Sequence, residues 1–478
     1  MVPPQLVEFA HLKQDLKRAT VFFKIKAETK GPNVTTALDL LTKHFTPTGL
    51  DDLTVTERRF PARVRPDLQK AIEQLTVSPA VLQHFSGIRK QYDHGGIHFS
   101  EMLVPVERDP VISVPPQYEE VDIGNDELVR CLTNGLWLLN LEGKPAALFL
   151  EPPDRFARET GLRFQLATIN DPTGKRLAGE FFRRIETAVQ ESVCYRGKIL
   201  SLEEGDRYAG VSTGIKVHRL RTVEREQVIL PKSTLGLLER NVMRFVEQRQ
   251  RLRELGLPTK KGLLFYGPPG TGKTHTIHYL AGSLAGHTTF IMSAEQVGLL
   301  SEYMTLARLL QPSILVMEDV DLIARDRAEM NSPCEEVLLN KLLNEMDGLR
   351  TDADILFLLT TNRPQMLEAA LASRPGRVDQ AIEFPLPDEE GRAKLVRLYG
   401  SGLNLSEDLI STAARKTDGV SAAFIKEFMR RAAQFMIERG GNVVDQSDLD
   451  SAVEELLFAG GSLNRQLLGG GQSTSSGH

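Results

Sequence analysis

The sequence predicts an α/β protein: a parallel sheet with helices on both faces, followed by a small all-helical lid and preceded by a mixed α/β domain. Three observations predict it. From about residue 255 to 385, short apolar runs alternate with helical patterns, as in a parallel sheet covered by helices. Residues 262–266 (GLLFY) lead into Gly267-Pro268-Pro269-Gly270-Thr271-Gly272-Lys273-Thr274, and helical periodicity follows over His275–Leu284. Residues 389–459 carry helical patterns only.

Composition bounds the rest. The chain has 478 residues, enough for two or three domains at roughly 100–200 residues each. A hydrophobic fraction of 41% and a charged fraction of 25% exclude a disordered or fibrous chain. Lys and Arg number 58 against 63 Asp and Glu, a net charge of −5, which argues against a bulk basic surface for nucleic acid. Cys131, Cys194 and Cys334 are odd in number and far apart, as expected of free thiols in a reducing compartment. No run approaches the ~18 apolar residues of a membrane span, so no membrane partner is expected. Met1-Val2-Pro3-Pro4-Gln5 leads into mixed apolar and charged residues without the apolar core of a secretory signal, and a cytoplasmic location is expected.

Residues 1–215 read as the N-terminal mixed α/β domain. Helical spacing recurs at 36–45, 67–76 and 177–193, the last with Phe181, Ile185, Val189 and Val193 on one face. Ala147–Leu150 and Phe164–Ala167 read as strands, and Trp137 among Leu136, Leu138 and Leu139 reads as core. His84, His94 and His98 surround Gly95-Gly96, whose glycines disfavour a helical ligand pair; a loop is expected there, not a metal site. Arg58, Arg59, Arg63 and Arg65 read as a solvated basic face. A boundary is expected near 205–228, around Gly205, Gly210 and Gly214, with a strand at Ile215–Leu220 and a long helix from Ser233 to about Leu255. The Gly/Ser-rich stretch 461–478 reads as a flexible tail.

The chemistry lies in the second half. Glycines at these spacings let backbone N–H groups turn inward around phosphates, and the N-terminus of the next helix adds a positive dipole. Lys273 is expected to reach the β- and γ-phosphates of ATP, and the Thr274 hydroxyl to ligate Mg2+. Residues 314–317 (ILVM) read as a strand buried on both faces and end in Glu318-Asp319, an acidic pair facing the crevice beyond the strand ends. One carboxylate can hold the metal's water shell and the other orient the attacking water. A third strand, Ile355–Leu359, ends in Thr360-Thr361-Asn362, where a neutral amide can bond the lytic water and the γ-phosphate without adding charge. In Ser373-Arg374-Pro375-Gly376-Arg377 two guanidinium groups flank a Pro-Gly turn; a finger of this kind reaching a neighbouring subunit is worth about 10³–10⁵ in rate where measured.

Together with Pro312–Asp321, Asn340–Leu349 (NKLLNEMDGL), Thr361–Pro364, Ser373–Asp379, Ile382–Asp388 and Asp418–Phe424, the glycine-rich run resembles an AAA ATPase over about residues 225–459. It is similar to the branch containing FtsH, katanin, spastin and valosin-containing protein. The resemblance implies a P-loop NTPase domain at 225–388, a helical lid at 389–460, ATP and Mg2+ as ligands, and a ring, usually a hexamer, with ATP at subunit interfaces. It places Lys273, Thr274, Glu318, Asp319 and Asn362 in cis, and Arg374 and Arg377 on the next subunit's ATP. Val228 and Ile229 take the adenine position, His275 joins the residues Gly267–Thr274 around the nucleotide, and Gly419 and Ala422 stand near base and ribose.

Some positions depart from the family. Glu318-Asp319 reverses the usual Asp-Glu order, as in the mitochondrial Rieske-protein translocase ATPases; by register Glu318 takes the metal role and Asp319 the water-activating one. Ala422 replaces a Gly and Phe424 an Asp. The stretch after Phe290 is short and lacks an aromatic–apolar–glycine pore loop, and no HExxH motif joins a protease to the ring. The expected function is ATP-driven remodelling or disassembly of a protein or complex selected by the N-terminal domain. A second class is an ATP-controlled assembly switch or scaffold with slow hydrolysis. A third, a DNA-linked loader, is disfavoured by the acidic balance and the absence of an appended DNA-binding motif.

Overall fold

The structure, a computed structural model, describes residues 35–90, 97–106, 109–124, 127–151, 161–203, 214–325, 341–342, 344–346, 348, 353–365 and 378–456. The tail expected at 461–478, His94 and Cys334 lie outside them. The chain divides into two units: the described residues up to Val121 with Val129–Ala188, and Asp122–Leu128 with those from Val189 onward.

In the first unit, β1 (Leu53–Pro61), β2 (Leu82–Arg89), β3 (Ile112–Val114), β6 (Gly135–Leu141), β7 (Lys144–Leu150) and β8 (Gly161–Ile169) form a sheet in the order β1-β8-β7-β6-β2-β3, antiparallel throughout. β4 (Tyr118–Asp122) and β5 (Leu128–Leu132) pair separately. Helix α1 (Ala37–Phe45) starts at Thr36, whose side chain accepts from Asp39 N, and buries Leu41 and Phe45 against Leu136, Leu138, Ala147 and Phe149. Side chains alternate across a strand, so Trp137 lies on the opposite face from Leu136 and Leu138; it is buried and stacks on Phe85 with centroids 5.0 Å apart. Helices α2 (Arg65–Thr76) and α3 (Pro172–Glu191) complete the unit's main elements.

Two expectations need correction here. Val193 falls beyond the end of α3 and is 70% exposed, so the apolar face of that helix stops at Val189. The arginine stretch is not one solvated face: Arg63 is buried, and Arg65 donates to Leu132 O at 2.7 Å and pairs with Glu119. Arg58 pairs with Glu186 and Arg59 with Glu57, so β1's cations are matched by local acids. His84 is exposed on β2.

The second unit holds β9 (Ile199–Leu202), β10 (Ile215–His218), β11 (Lys261–Tyr266), β12 (Thr288–Met292), β13 (Ser313–Met317), β14 (Ile355–Thr361) and β15 (Gln380–Glu383), in the order β10-β9-β12-β13-β14-β11-β15. All neighbours are parallel except β10 and β9. The sequence boundary near 215 leaves Ile199–Leu202 with the N-terminal half, but these residues join this sheet. Leu200 and Leu202 are fully buried, and β9 finds a parallel partner in β12 at Thr289 and Phe290. The pairing is invisible in the sequence because each partner lies ninety residues away.

The segment expected as one long helix is helical almost throughout, as α4 (Lys232–Leu238), a π-helical turn at Glu239–Met243, α5 (Arg244–Glu247) and α6 (Arg249–Glu254). Then come α7 (Lys273–Ser283), α8 (Leu300–Leu309) and α9 (Val320–Arg325). One sheet face packs Leu263, Phe265, Ile314, Val316, Leu356 and Leu358 against Ile277 and Leu280 of α7. The lid is α10 (Glu389–Tyr399), α11 (Glu407–Lys416), α12 (Ala422–Glu438) and α13 (Gln446–Glu454), around Leu395, Phe424, Phe428 and Leu449. Asp388, Ser406, Ser421 and Asp445 cap the four helices with side-chain acceptors. Among the described residues no helix is long and apolar enough to cross a membrane.

At the opposite end of the strands from the glycine loop, Arg249 is buried with the ring of Phe245 5.5 Å from its guanidinium carbon. It pairs with Asp354, and its Nη1 donates to His287 Nε2 at 3.2 Å. Burial, and then the Arg249 charge, hold the His287 pKa below its ordinary value of 6.5. The folded state therefore keeps His287 neutral, and this contribution to stability is full above about pH 6.5 and lost as pH falls below it. Between about pH 7.5 and 5.5, thermal melting of the wild type is expected to fall by a few degrees more than that of His287→Gln. Equal slopes would remove His287 from the acid response.

Candidate nucleotide site

The parallel order brings three strand ends together, because β11 lies between β14 and β15 and β13 lies beside β14. The glycine loop leaves β11. Gly267 has φ +146, and a Cβ there would stand 2.2 Å from Phe384 O, so only glycine lets the loop turn past β15. The Lys273 Nζ donates to Gly267 O at 2.8 Å and to Pro268 O at 2.9 Å, and the Thr271 hydroxyl to Pro268 O at 2.9 Å. The loop thus curls around its own lysine. Burial lowers the Lys273 pKa to about 8, against the opposing pull of Asp319 and Asp321.

Glu318 and Asp319 follow β13 and diverge. Thr274 Oγ1 donates to Glu318 Oε1 at 2.8 Å. Asp319 turns the other way, in the left-handed region at φ +51, with its N–H donating to Thr360 Oγ1 at 3.0 Å. Asn362 Nδ2 donates to Asp319 Oδ1 at 3.0 Å. A threonine hydroxyl beside one carboxylate, and an amide beside the next, give one hard-oxygen pair able to hold a divalent cation and one polar pair able to hold a water.

A cavity of about 390 Å³ opens over the loop. Gly270–His275, Asp319, Thr360 and Asn362 supply its polar lining, and Val228, Ile229, Leu230, Leu395 and Tyr399 much of its apolar lining. His275 Nε2 donates to Gln227 O at 3.2 Å, tying the first turn of α7 to the 227–230 segment. The lid closes the side: Ala422, Ala423 and Lys426 line the cavity, and Ala423 N donates to Gly270 O at 3.1 Å.

Of the residues singled out in the sequence, Pro269–His275, Asp319, Asn362, Val228, Ile229 and Ala422 meet around this one space. Gly267 and Pro268 serve from behind through their carbonyls, and Glu318 through Thr274. Gly419 does not line the cavity; at φ +70 it turns the chain ahead of the Ser421 cap. Arg374 and Arg377 lie outside the described residues. Sequence reasoning missed Thr360, Leu395, Tyr399, Ala423 and Lys426. Leu395 and Tyr399, four apart on α10, carry a helical-stripe signal that cannot distinguish a lid core from a cavity wall.

Residues 263–386 match the family described as ATPase family associated with various cellular activities (AAA). The chain is 33% identical over 273 residues to the ATP-dependent zinc metalloprotease FtsH 3 of Sphaerobacter thermophilus, covering 52% of this chain and 55% of that one. It is 32% identical over 263 residues to the proteasome-activating nucleotidase of Methanothermobacter thermautotrophicus, covering 52% and 63%. Over 300 residues it is 31% identical to the 26S proteasome regulatory subunit 8 homolog of Encephalitozoon cuniculi, covering 56% of this chain and 75% of that protein. The chain belongs to the AAA ATPase family. It nevertheless spans less than two thirds of the length of the first two relatives.

For an AAA ATPase, the join between phosphate loop and lid is the mechanical element to test. Gly270 has φ +74, and a Cβ there would stand 2.8 Å from both Ala423 Cβ and Ser421 Oγ. Gly270→Ala forces an L-residue into the left-handed region at about 1–2 kcal/mol and pushes the lid helix away. A lower melting temperature and faster hydrogen exchange at the Ala423 amide are expected. An unchanged exchange rate would mean that this bond does not hold the lid.

Proposed function

We propose that the protein binds ATP with Mg2+ and hydrolyses it, and that ring assembly couples this cycle to remodelling of a protein or protein complex. The observation that carries the reading is the convergence on one cavity of the phosphate loop, the Asp319–Asn362 pair and the lid helix. Names of relatives support it: one is an ATP-dependent protease and another activates a proteasome.

The chain's own groups divide the work. Backbone N–H groups of Gly270–Thr274 and the N-terminus of α7 receive the phosphates, and Lys273 leaves the loop carbonyls to pair with them. Val228, Ile229 and Leu230 offer the base an apolar wall. Thr274 and Glu318 fit Mg2+, since their oxygens lie 2.8 Å apart and both are hard donors. The bound ion would neutralise charge between the β- and γ-phosphates. Asp319 accepts the proton of the attacking water, with Asn362 fixing the carboxylate's orientation. Arg374 and Arg377 would act on the ATP of the next subunit, a role that rests on the sequence.

Threading of an extended polypeptide is not part of the proposal. After β12 the chain enters a short 3-10 turn, Ala294–Leu299, and then α8. The aromatics Phe290 and Tyr303 are fully buried, and the Tyr303 hydroxyl donates to Ile291 O at 3.1 Å. No aromatic of 290–310 is offered outward.

Asp319→Asn is expected to lower kcat by about 10²–10⁴-fold with ATP still bound, the usual contribution of a positioned base. Turnover at the wild-type rate would reject Asp319 as the base, and wild-type protein inert with ATP and Mg2+ would reject the whole reading. Sizing with and without ATP tests the ring.

Proton linkage supplies a second test. Free Lys273 titrates at about 8, while phosphates favour its charged form. Binding therefore takes up a proton above that pH, and ATP affinity is expected to hold below about pH 8 and fall by up to about tenfold per unit above it. Calorimetry in buffers of different ionisation enthalpy reads the uptake directly, and a flat affinity from pH 7 to 9.5 would contradict it.

A further inference from the structure

Behind the cavity lies a carboxylate that the proposed chemistry does not use. Asp321 is the second residue of α9 and is 2% exposed. Its Oδ1 accepts from Thr361 Oγ1 at 2.8 Å and from Asn362 N at 3.2 Å. Thr361 Oγ1 in turn accepts from Arg363 N at 2.9 Å. One buried oxygen therefore fixes the last residue of β14 and Asn362 directly, and Arg363 through the Thr361 hydroxyl; the side-chain amide of Asn362 donates to Asp319 at 3.0 Å.

We infer that Asp321 is a positioning residue for hydrolysis: it sets the Asn362 backbone so that the side-chain amide meets Asp319. The inference rests on the reading of Asp319 as base. A helix-starting acid needs no burial to stabilise the first turn of α9, since an exposed one serves the helix dipole equally. Burial is tolerated here because hydrogen-bond donors converge on the carboxylate. A buried, multiply bonded acceptor holds geometry more tightly than an exposed cap. That tightness matters where an error of about 1 Å can cost on the order of 10²-fold in rate. Asp319 is held from its other side by the Thr360 hydroxyl, so the loops after β13 and β14 grip each other reciprocally. Asp321 and Thr360 set the frame, and Asp319 and Asn362 are the groups presented within it.

The test is a double-mutant cycle on kcat, with ATP affinity measured alongside. Asp321→Ala is expected to lower kcat by roughly 10²-fold with the Kd for ATP within a few-fold of wild type. Asp321→Asn keeps an Oδ1 acceptor and is expected to restore most of that loss. If Asp321 acts through Asn362, adding Asp321→Ala to Asn362→Ala costs little further. Independent structural damage would multiply the two losses and overturn the inference, as would Asp321→Ala at wild-type kcat. Should Asp321→Ala fail to fold, Thr361→Val removes the same relay hydroxyl without adding volume. It is expected to lower kcat about tenfold alone and not at all in the Asn362→Ala background. Loss in both backgrounds rejects the relay. Active wild-type protein with insensitive variants defeats this inference alone, whereas inert wild-type protein defeats the reading beneath it.

Discussion

Parallel pairing of β11, β13 and β14 is the constraint on which the site depends. Strands that run the same way end on the same edge, so a loop, an acidic pair and a polar turn separated by up to about ninety residues come within hydrogen-bond reach. The register is held by burial on both faces: each residue of β13 and β14 is buried, and a slip of one residue would transpose every side chain between the two packed faces. It would also move Glu318 and Asp319 relative to Thr274 and Asn362. The packing of apolar residues thus determines the placing of the polar ones, and the glycine at 267 lets the loop pass β15 without disturbing that register.

Within that frame the polar groups hold one another before any ligand is considered. Lys273 bonds its own loop, Thr274 bonds Glu318, and Asn362 bonds Asp319. Each is a contact that a polyphosphate, a cation or a water can replace with a stronger charged partner. A site that satisfies itself in this way avoids the penalty of unpaired buried groups and stays ordered. The depressed Lys273 pKa belongs to the same arrangement: the two nearby carboxylates of Asp319 and Asp321 only partly offset the loss of solvent.

How much of this was legible in the sequence differs between the two halves. Continuous apolar runs ending in Gly267, Glu318 and Thr360 announce a parallel sheet and its active edge, because burial on both faces leaves no alternation to misread. The helical lid follows from helical spacing with capping residues. Three things were not legible. Gly419 has the left-handed turn of its motif but not the cavity position, since the chain reaches the cavity three residues later at Ala422. Ile199–Leu202 is four residues long, and nothing local says which sheet it extends. Asp321 reads as an ordinary helix-starting acid until Thr361 is placed beside it, 40 residues on. In the N-terminal unit the failure was of charge: Arg63 and Arg65 look solvated in a basic run, and only the burial of Arg63 and the carbonyl and acid that meet Arg65 show otherwise.

The lid's attachment gives the fold its mechanical sense. Ala423 N on Gly270 O places the first turn of α12 against the loop that would receive phosphate, while Leu395 and Tyr399 of α10 line the same cavity. Two lid helices therefore line one space, and both are rooted in a common core through Leu395, Phe424 and Phe428. A close-packed core of this kind moves as a body more readily than it deforms. A change in the loop-to-lid contact would therefore be felt across the whole lid, α11 and α13 included.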